Sequence, residues 1–336
     1  MFDLKSITTS TDKSPQNYRL EDEGLKMAIQ MAIWLEKPLL LTGAPGTGKT
    51  QLAYKVAYDL SLKGDEPNCA KFIEKPFIFN TKTTSNCTDL FYSYDAIRHF
   101  QKKYSDQIGN KEDETTAHSY LKLNALGSAI VQSYGGNEIK ENKEINELQR
   151  LLDFEKTIMP ELRSSVVLID EIDKAPRDFP NDLLNEIDNM EFSINELMNL
   201  HIKKSENKRA RIVVIMTSNF EKALPDAFLR RCLFYHIPTP NQQELIEIVN
   251  LRLGEKENIA RNVETIVTEF LKIRDNLKDK KPSTAELLEW VKVLEEMSLL
   301  NGVLDFKTLS DEQKSKLKLS YSTIAKSKED LEILIS

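Results

Sequence analysis

Pro38-Leu39-Leu40-Leu41-Thr42-Gly43-Ala44-Pro45-Gly46-Thr47-Gly48-Lys49-Thr50 is the stretch that decides the fold. Its first part is an apolar run, predicted as a strand over residues 38–42. Its second part, residues 43–50, spells G-x-x-x-x-G-K-[ST]. Gly43, Gly46 and Gly48 allow the backbone to curl through dihedrals that other residues avoid, so that the N–H groups of Gly43, Ala44, Gly46, Thr47 and Gly48 converge on one phosphate, with Pro45 shaping the loop without a donor of its own. The Lys49 ammonium would reach the outer phosphates of a nucleotide, and the Thr50 hydroxyl would hold Mg²⁺. A helix starting near Gly48 adds the positive end of its dipole to the same anion. A strand-to-helix turn that merely contains glycines does not require Lys-Thr directly after the last of them.

Outward from the loop, helical and strand patterns alternate. The spacing of Leu52, Ala53, Val56, Ala57 and Leu60 predicts a helix over 49–62, ended by Gly64 and Asp65-Glu66-Pro67-Asn68. A first helix is expected over 21–35. Buried strands are expected over 76–80, 166–169, 211–216 and 234–237, with a helix over 178–190. Residues 191–198 and 200–203 read as a hairpin or short irregular strands. Alternation of this kind implies an α/β fold, a parallel sheet between helices. Between 81 and 162 the pattern weakens: 101–116 is charged and polar, and 121–131 looks helical. This segment reads as an insertion of loops and short helices on the core. After Pro238-Thr239-Pro240 only helical patterns follow, over 244–253, 263–277, 284–300 and from 311 onward. The expected organisation is an N-terminal extension (1–20), an α/β core (21–240) with its insertion, and a small all-helical domain (241–336).

Composition narrows the class. The 336 residues are 40% hydrophobic and 29% charged, with 46 basic and 53 acidic side chains giving a net charge of −7. That balance disfavours a general nucleic-acid coat. Cys69, Cys87 and Cys232 lie far apart, which indicates neither a zinc site nor a disulfide framework. No apolar leader opens the sequence and no run approaches the ~18 apolar residues of a membrane span, so a cytoplasmic location is expected.

Three further groups carry chemistry. Val166-Val167-Leu168-Ile169-Asp170-Glu171 is a strand followed by two carboxylates at its C-terminal end, the edge where ligands bind in open α/β sheets. Asp170 would orient Mg²⁺, and Glu171 would act as general base on the attacking water. Asp173 reads as structural or solvated. Thr217-Ser218-Asn219 closes another strand, and the Asn219 amide would bond the γ-phosphate or the water, although Asn also begins turns. Arg230 and Arg231 end a short helix. Either they stabilise transferring phosphate across a subunit boundary, or they cap the helix on the surface; the residues alone leave both open. Two decoys are set aside. Asn110-Lys111-Glu112-Asp113 resembles a guanine-reading motif but follows no strand and precedes the Asp170 strand. The basic run 203–211 reads as a solvated hairpin tip.

Together these stretches resemble the AAA+ ATPases: Walker A at 43–50, Walker B at 166–171, sensor 1 at Asn219 and an arginine-finger region at Arg230 and Arg231. The series from Val167 to Leu184, with Lys281-Pro282-Ser283-Thr284 further on, resembles the MoxR-like, dynein-related branch. The resemblance implies a P-loop NTPase core followed by a helical lid domain. It implies ATP with Mg²⁺ at the interfaces of a ring, commonly a hexamer, with Tyr18 as a base contact. It also implies chaperone-like remodelling of a protein partner, often one with a von Willebrand A domain. Relatives often carry a sensor 2 arginine where this chain has Thr284, Ala285 and Glu286, with Lys281 as the nearest substitute, so coupling of nucleotide to lid is in doubt. In this branch the segment 81–162 would face the ring pore, and Phe91, Tyr92 and Tyr94 either grip a substrate or, the preferred reading, pack the insert onto its own core. The alternatives are a nucleotide-gated regulatory or defence switch or scaffold, and behind it a nucleic-acid-acting motor.

Overall fold

The computed structural model describes residues 14–108, 117–135, 137, 139, 158–254, 256–277 and 280–336. Along the chain run α1 (Glu23–Leu35), β1 (Leu39–Thr42), α2 (Lys49–Ser61), β2 (Phe77–Asn80), β3 (Tyr92–Tyr94), α3 (Ala96–Ile108), β4 (Leu121–Leu123), α4 (Ala125–Gln132), β5 (Ser165–Asp170) and α5 (Phe179–Asn189). Then come β6 (Glu191–Ile194), β7 (Leu200–Lys203), β8 (Ile212–Ser218), α6 (Asp226–Leu229) and β9 (Leu233–His236). Helices α7 (Gln242–Leu253), α8 (Glu257–Asn276), α9 (Thr284–Glu296), α10 (Asp311–Ser320) and α11 (Lys328–Ile335) follow. The chain divides into two compact units. One holds Leu20–Thr42 and Lys49–His236; the other holds the described residues before Leu20, Gly43–Gly48 and Ile237–Ser336.

The first unit is built on a five-stranded sheet in the order β2-β5-β8-β1-β9, every neighbouring pair parallel. Leu39, Leu40 and Leu41 of β1 are fully buried, since the strand has a neighbour on each side and covered faces. Each such leucine contributes about 1.5–3 kcal/mol by leaving water. Leu52, Ala53, Val56 and Ala57 form the buried stripe of α2, as their spacing requires. Because all five strands are parallel, their C-terminal ends share one edge of the sheet. Thr42, Asp170 and Ser218 close β1, β5 and β8 there.

Several expectations need correction. The strands expected as buried over 76–80 and 234–237 are the sheet's two edge strands; Phe77, Ile78 and Phe79 are half-buried and Asn80 is exposed, and in β9 Phe234 and His236 are exposed. The single helix expected over 121–131 is a strand and then a helix. Leu121 and Leu123 are buried while Lys122 is exposed, and this alternation pairs β4 with β3, Tyr92 opposite Leu123. Asn124 then caps α4, its side chain donating to the Asp89 carbonyl at 2.8 Å. Far from being an attachment, α4 is buried along its length in the same core as Val167 and Ile169. Gly127 makes this possible, since a Cβ there would lie 2.0 Å from the Phe91 carbonyl oxygen. Phe91 and Tyr92 are buried and their rings pair with Phe192, the packing role preferred from the sequence.

Part of the polar stretch 101–116 is helix, because α3 runs to Ile108. The segment Asn110 to Asp113 lies outside the described residues. Residues 191–203 do form an antiparallel hairpin, but the basic run is not its tip; it leads from β7 to β8. Its charges pair within the unit: Lys204 with Glu36 at 3.4 Å and Arg209 with Asp65 at 2.8 Å.

The second unit's helices surround a separate apolar core. Trp290 is its largest fully buried side chain, packed among Phe270, Phe306 and Tyr321, and its indole donates to the Ser320 hydroxyl at 2.8 Å. The helix expected to reach residue 300 stops at Glu296, and Ser298 turns the chain with φ 61°. Leu299 and Leu300 are still buried, so apolar spacing overstated the helix. Asn262, buried on α8, holds the segment that follows: its amide donates to the carbonyls of Asn258 and Gly302 at 2.9 Å and of Leu300 at 3.4 Å, and its carbonyl accepts from Leu304 N at 2.7 Å.

Candidate functional site

The glycines of 43–48 have the geometry their motif requires. Gly43, Gly46 and Gly48 adopt φ of 146°, 74° and 83°. The turn closes on itself, Thr47 donating its hydroxyl to the Ala44 carbonyl at 2.9 Å. Space is as restrictive as dihedral angle at two positions. A Cβ on Gly46 would lie 2.6 Å from the Ser283 side chain, and one on Gly48 2.9 Å from the Tyr18 ring. Tyr18, the expected base contact, therefore lies against the loop backbone. Ser283 caps α9, where its N–H donates to Glu286 at 2.6 Å. Glu286 also pairs with Lys326 at 3.1 Å.

In the sheet unit, α2 begins at Lys49, whose side chain is buried. Burial pulls its pKa below the ordinary lysine value, and the carboxylates of Asp170, Asp173 and Glu171 oppose that shift. The Thr50 hydroxyl lies 3.0 Å from both oxygens of Asp170. Thr217 then links the two acidic residues. Its hydroxyl donates to Asp170 Oδ1 at 2.5 Å and accepts from the Glu171 N–H at 2.8 Å. Glu171 sits in the left-handed region, φ 57°, a conformation that bulky residues adopt only when surroundings impose it. Asn219 Nδ2 approaches Glu171 Oε1 at 3.4 Å, and Lys174 Nζ bonds Oε2 at 2.5 Å. That bond raises the Lys174 pKa against a small opposing effect of burial.

Lys49, Thr50, Asp170, Glu171 and Asn219, singled out from separate stretches, thus gather at one sheet edge. Arg230 and Arg231 follow α6 and are exposed; Arg231 bonds Asp188 at 3.0 Å. Thr217, Asp173 and Lys174 were not assigned roles at the site from the sequence. For Thr217 a signal existed: a hydroxyl closing a strand that neighbours the Asp170 strand. Lys174 carried none beyond its place three residues after Glu171.

Thr50 and Asp170 present hard oxygen donors, and among the described residues no cluster of three or more His, Cys, Asp or Glu forms a dedicated metal cage. This suits Mg²⁺, which binds through one or two protein oxygens and takes the rest from water and phosphate. Also among the described residues, no helix is long and apolar enough to cross a membrane.

No curated protein sequence matches the chain. Among solved structures, the crystal structure of the FIGL-1 AAA domain in complex with ADP is similar at 15% identity and a TM-score of 0.40, over 93% of this chain and 85% of that one. The family described as "ATPase family associated with various cellular activities (AAA)" matches residues 39–239, from the first residue of β1 past the end of β9. With this match over more than half its length, on a parallel sheet that carries the P-loop sequence after its first strand, the chain belongs to the AAA family.

Proposed function

We propose that the protein binds ATP with Mg²⁺, hydrolyses it, and uses the cycle as a MoxR-type AAA+ protein to remodel or activate a protein partner. The observation that carries this reading is the joining of Thr50, Asp170, Glu171 and Asn219 by hydrogen bonds, where a phosphoryl-transfer site needs a metal anchor beside a base. In this reading 43–48 wrap the phosphates and Lys49 neutralises the outer ones. Thr50 and Asp170 would hold Mg²⁺, which when bound offsets charge on the transferring group. Glu171 takes the proton of the attacking water, and the Asn219 amide orients that water.

AAA proteins typically work as rings, and an arginine supplied to a neighbouring subunit completes such a site. Arg230 is the better candidate, because Arg231 is engaged with Asp188. Residues 241–336 would serve as the helical lid, and residues 81–162 with the lid would carry specificity. A partner with a von Willebrand A domain fits the MoxR resemblance.

Glu171→Gln keeps the side chain's shape and removes its basicity. The expected result is nucleotide binding close to wild type with turnover lower by at least about 100-fold, since general base catalysis contributes 10²–10⁴. Wild-type turnover in that variant overturns the assignment. One observation favours a second reading, a nucleotide-gated switch: Lys174 occupies Glu171 Oε2 and must yield it before that oxygen can meet water, which suits slow turnover. Turnover compared with ATP-dependent assembly in size-exclusion chromatography separates the two.

A further inference from the structure

Asp173 is almost wholly buried, at 2% exposure, two residues beyond Glu171. Its Oδ2 accepts two backbone N–H groups from the segment after β8, Asn219 N at 3.2 Å and Glu221 N at 2.8 Å. Between those residues Phe220 sits in the left-handed region at φ 57°, with its N–H bonded to the Ser218 hydroxyl at 3.0 Å. A short carboxylate just beyond β5 thus holds two N–H groups, two residues apart, just beyond β8. A second tie crosses the same gap from the other side, Lys222 Nζ donating to the carbonyls of Lys174 and Ala175 at 3.3 Å. Asp173 is the inner of the two ties, and its Oδ1 is buried with no hydrogen-bond partner among the described residues.

We infer that Asp173 is a positioning residue for hydrolysis: it sets the backbone at Asn219, and through it the Asn219 amide against Glu171. The inference rests on the reading of Glu171 and Asn219 given above. Asn219 Nδ2 stands 3.4 Å from Glu171 Oε1, at the long limit of a hydrogen bond, so a shift of the Asn219 backbone changes that relation at once. Misplacement of about 1 Å can cost on the order of 100-fold in rate without touching the reacting atoms. Nucleotide affinity, which depends on 43–50 and Asp170, should be spared.

The test compares Asp173→Ala and Asp173→Asn in the full chain, with MgATP as substrate. Asp173→Ala should lower kcat at least about ten-fold while KM and the ATP dissociation constant stay within about two-fold. Asp173→Asn, whose amide oxygen can accept both N–H groups, should recover kcat to within about three-fold of wild type. If the alanine variant does not fold, Asp173→Ser, too short to reach both groups, replaces it. An unchanged kcat, a rise in KM instead, or an asparagine variant no better than alanine overturns the inference. Glu171→Gln is assayed alongside. Lost turnover there with wild-type kcat in Asp173→Ala defeats the Asp173 inference alone, whereas wild-type turnover in Glu171→Gln defeats the reading of the site as well.

Discussion

Asn262 in the helical unit and Asp173 in the sheet unit have the same architectural task. Each is a buried polar side chain that holds a neighbouring stretch of backbone, and each is at most 2% exposed. Their completeness differs. Asn262 satisfies both ends of its amide, donating to carbonyls of Asn258, Gly302 and Leu300 and accepting from Leu304. Asp173 uses one oxygen for two N–H groups, and its other oxygen has no hydrogen-bond partner among the described residues. A buried polar group kept only for architecture tends to be fully matched. Asp173 differs in where its backbone partners lead: one of them belongs to Asn219, whose amide meets Glu171, so a change at Asp173 reaches the proposed site, whereas Asn262 holds only the helical core.

That contrast can be broken by experiment. The largest effect should come from Trp290→Ala, which empties the centre of the helical core and should cost about 3–5 kcal/mol, measured by denaturant unfolding. Nucleotide binding by the molecules that remain folded should weaken too, because Gly43–Gly48 belongs to the same unit and Gly46 lies against Ser283, the cap of the Trp290 helix; unchanged binding would show that the loop does not depend on this core. Asn262→Ala should cost about 1–3 kcal/mol for the carbonyls and N–H left unpaired, with kcat per folded molecule unchanged. A selective fall in kcat there would erase the distinction from Asp173. Thr217→Val is nearly isosteric but removes the hydroxyl shared by Asp170 and Glu171. It should lower turnover by about ten-fold, or about 1.4 kcal/mol, and raise the Mg²⁺ concentration needed for half-maximal rate, while Thr217→Ser restores both. A magnesium titration like that of wild type would remove Thr217 from the site.

The fold was legible, and so was the meeting of Thr50, Asp170, Glu171 and Asn219 at one sheet edge, because both follow local rules. Leu39–Leu41 and the glycines of 43–48 are contiguous, and carboxylates directly after an apolar run must land at a strand end. What was not legible depends on tertiary contact. Leu121-Lys122-Leu123 supports strand or helix equally until Tyr92–Tyr94 is there to pair with it. The burial of α4 rests on a close approach at Gly127 that spacing cannot show. Asp173 read as structural or solvated, and it is structural; which backbone it holds was not legible, because its partners are N–H groups 46 and 48 residues away, which leave no trace in side-chain pattern. The half-burial of β2 follows from strand order, and strand order is not written in any single segment.

The position of β1 has a consequence for how the molecule is made. Both of its sheet neighbours, β8 and β9, begin at residues 212 and 233, so this early strand waits for late ones. With synthesis at about 5–20 residues per second, roughly 10–30 s elapse between the emergence of Thr42 and that of Ile212. During that interval Leu39, Leu40 and Leu41 have no edge to join, and the strand leading into Gly43 has no fixed end. The nucleotide loop is thus encoded early but gains its seat late, and until then the nascent chain carries an apolar strand without its sheet partners.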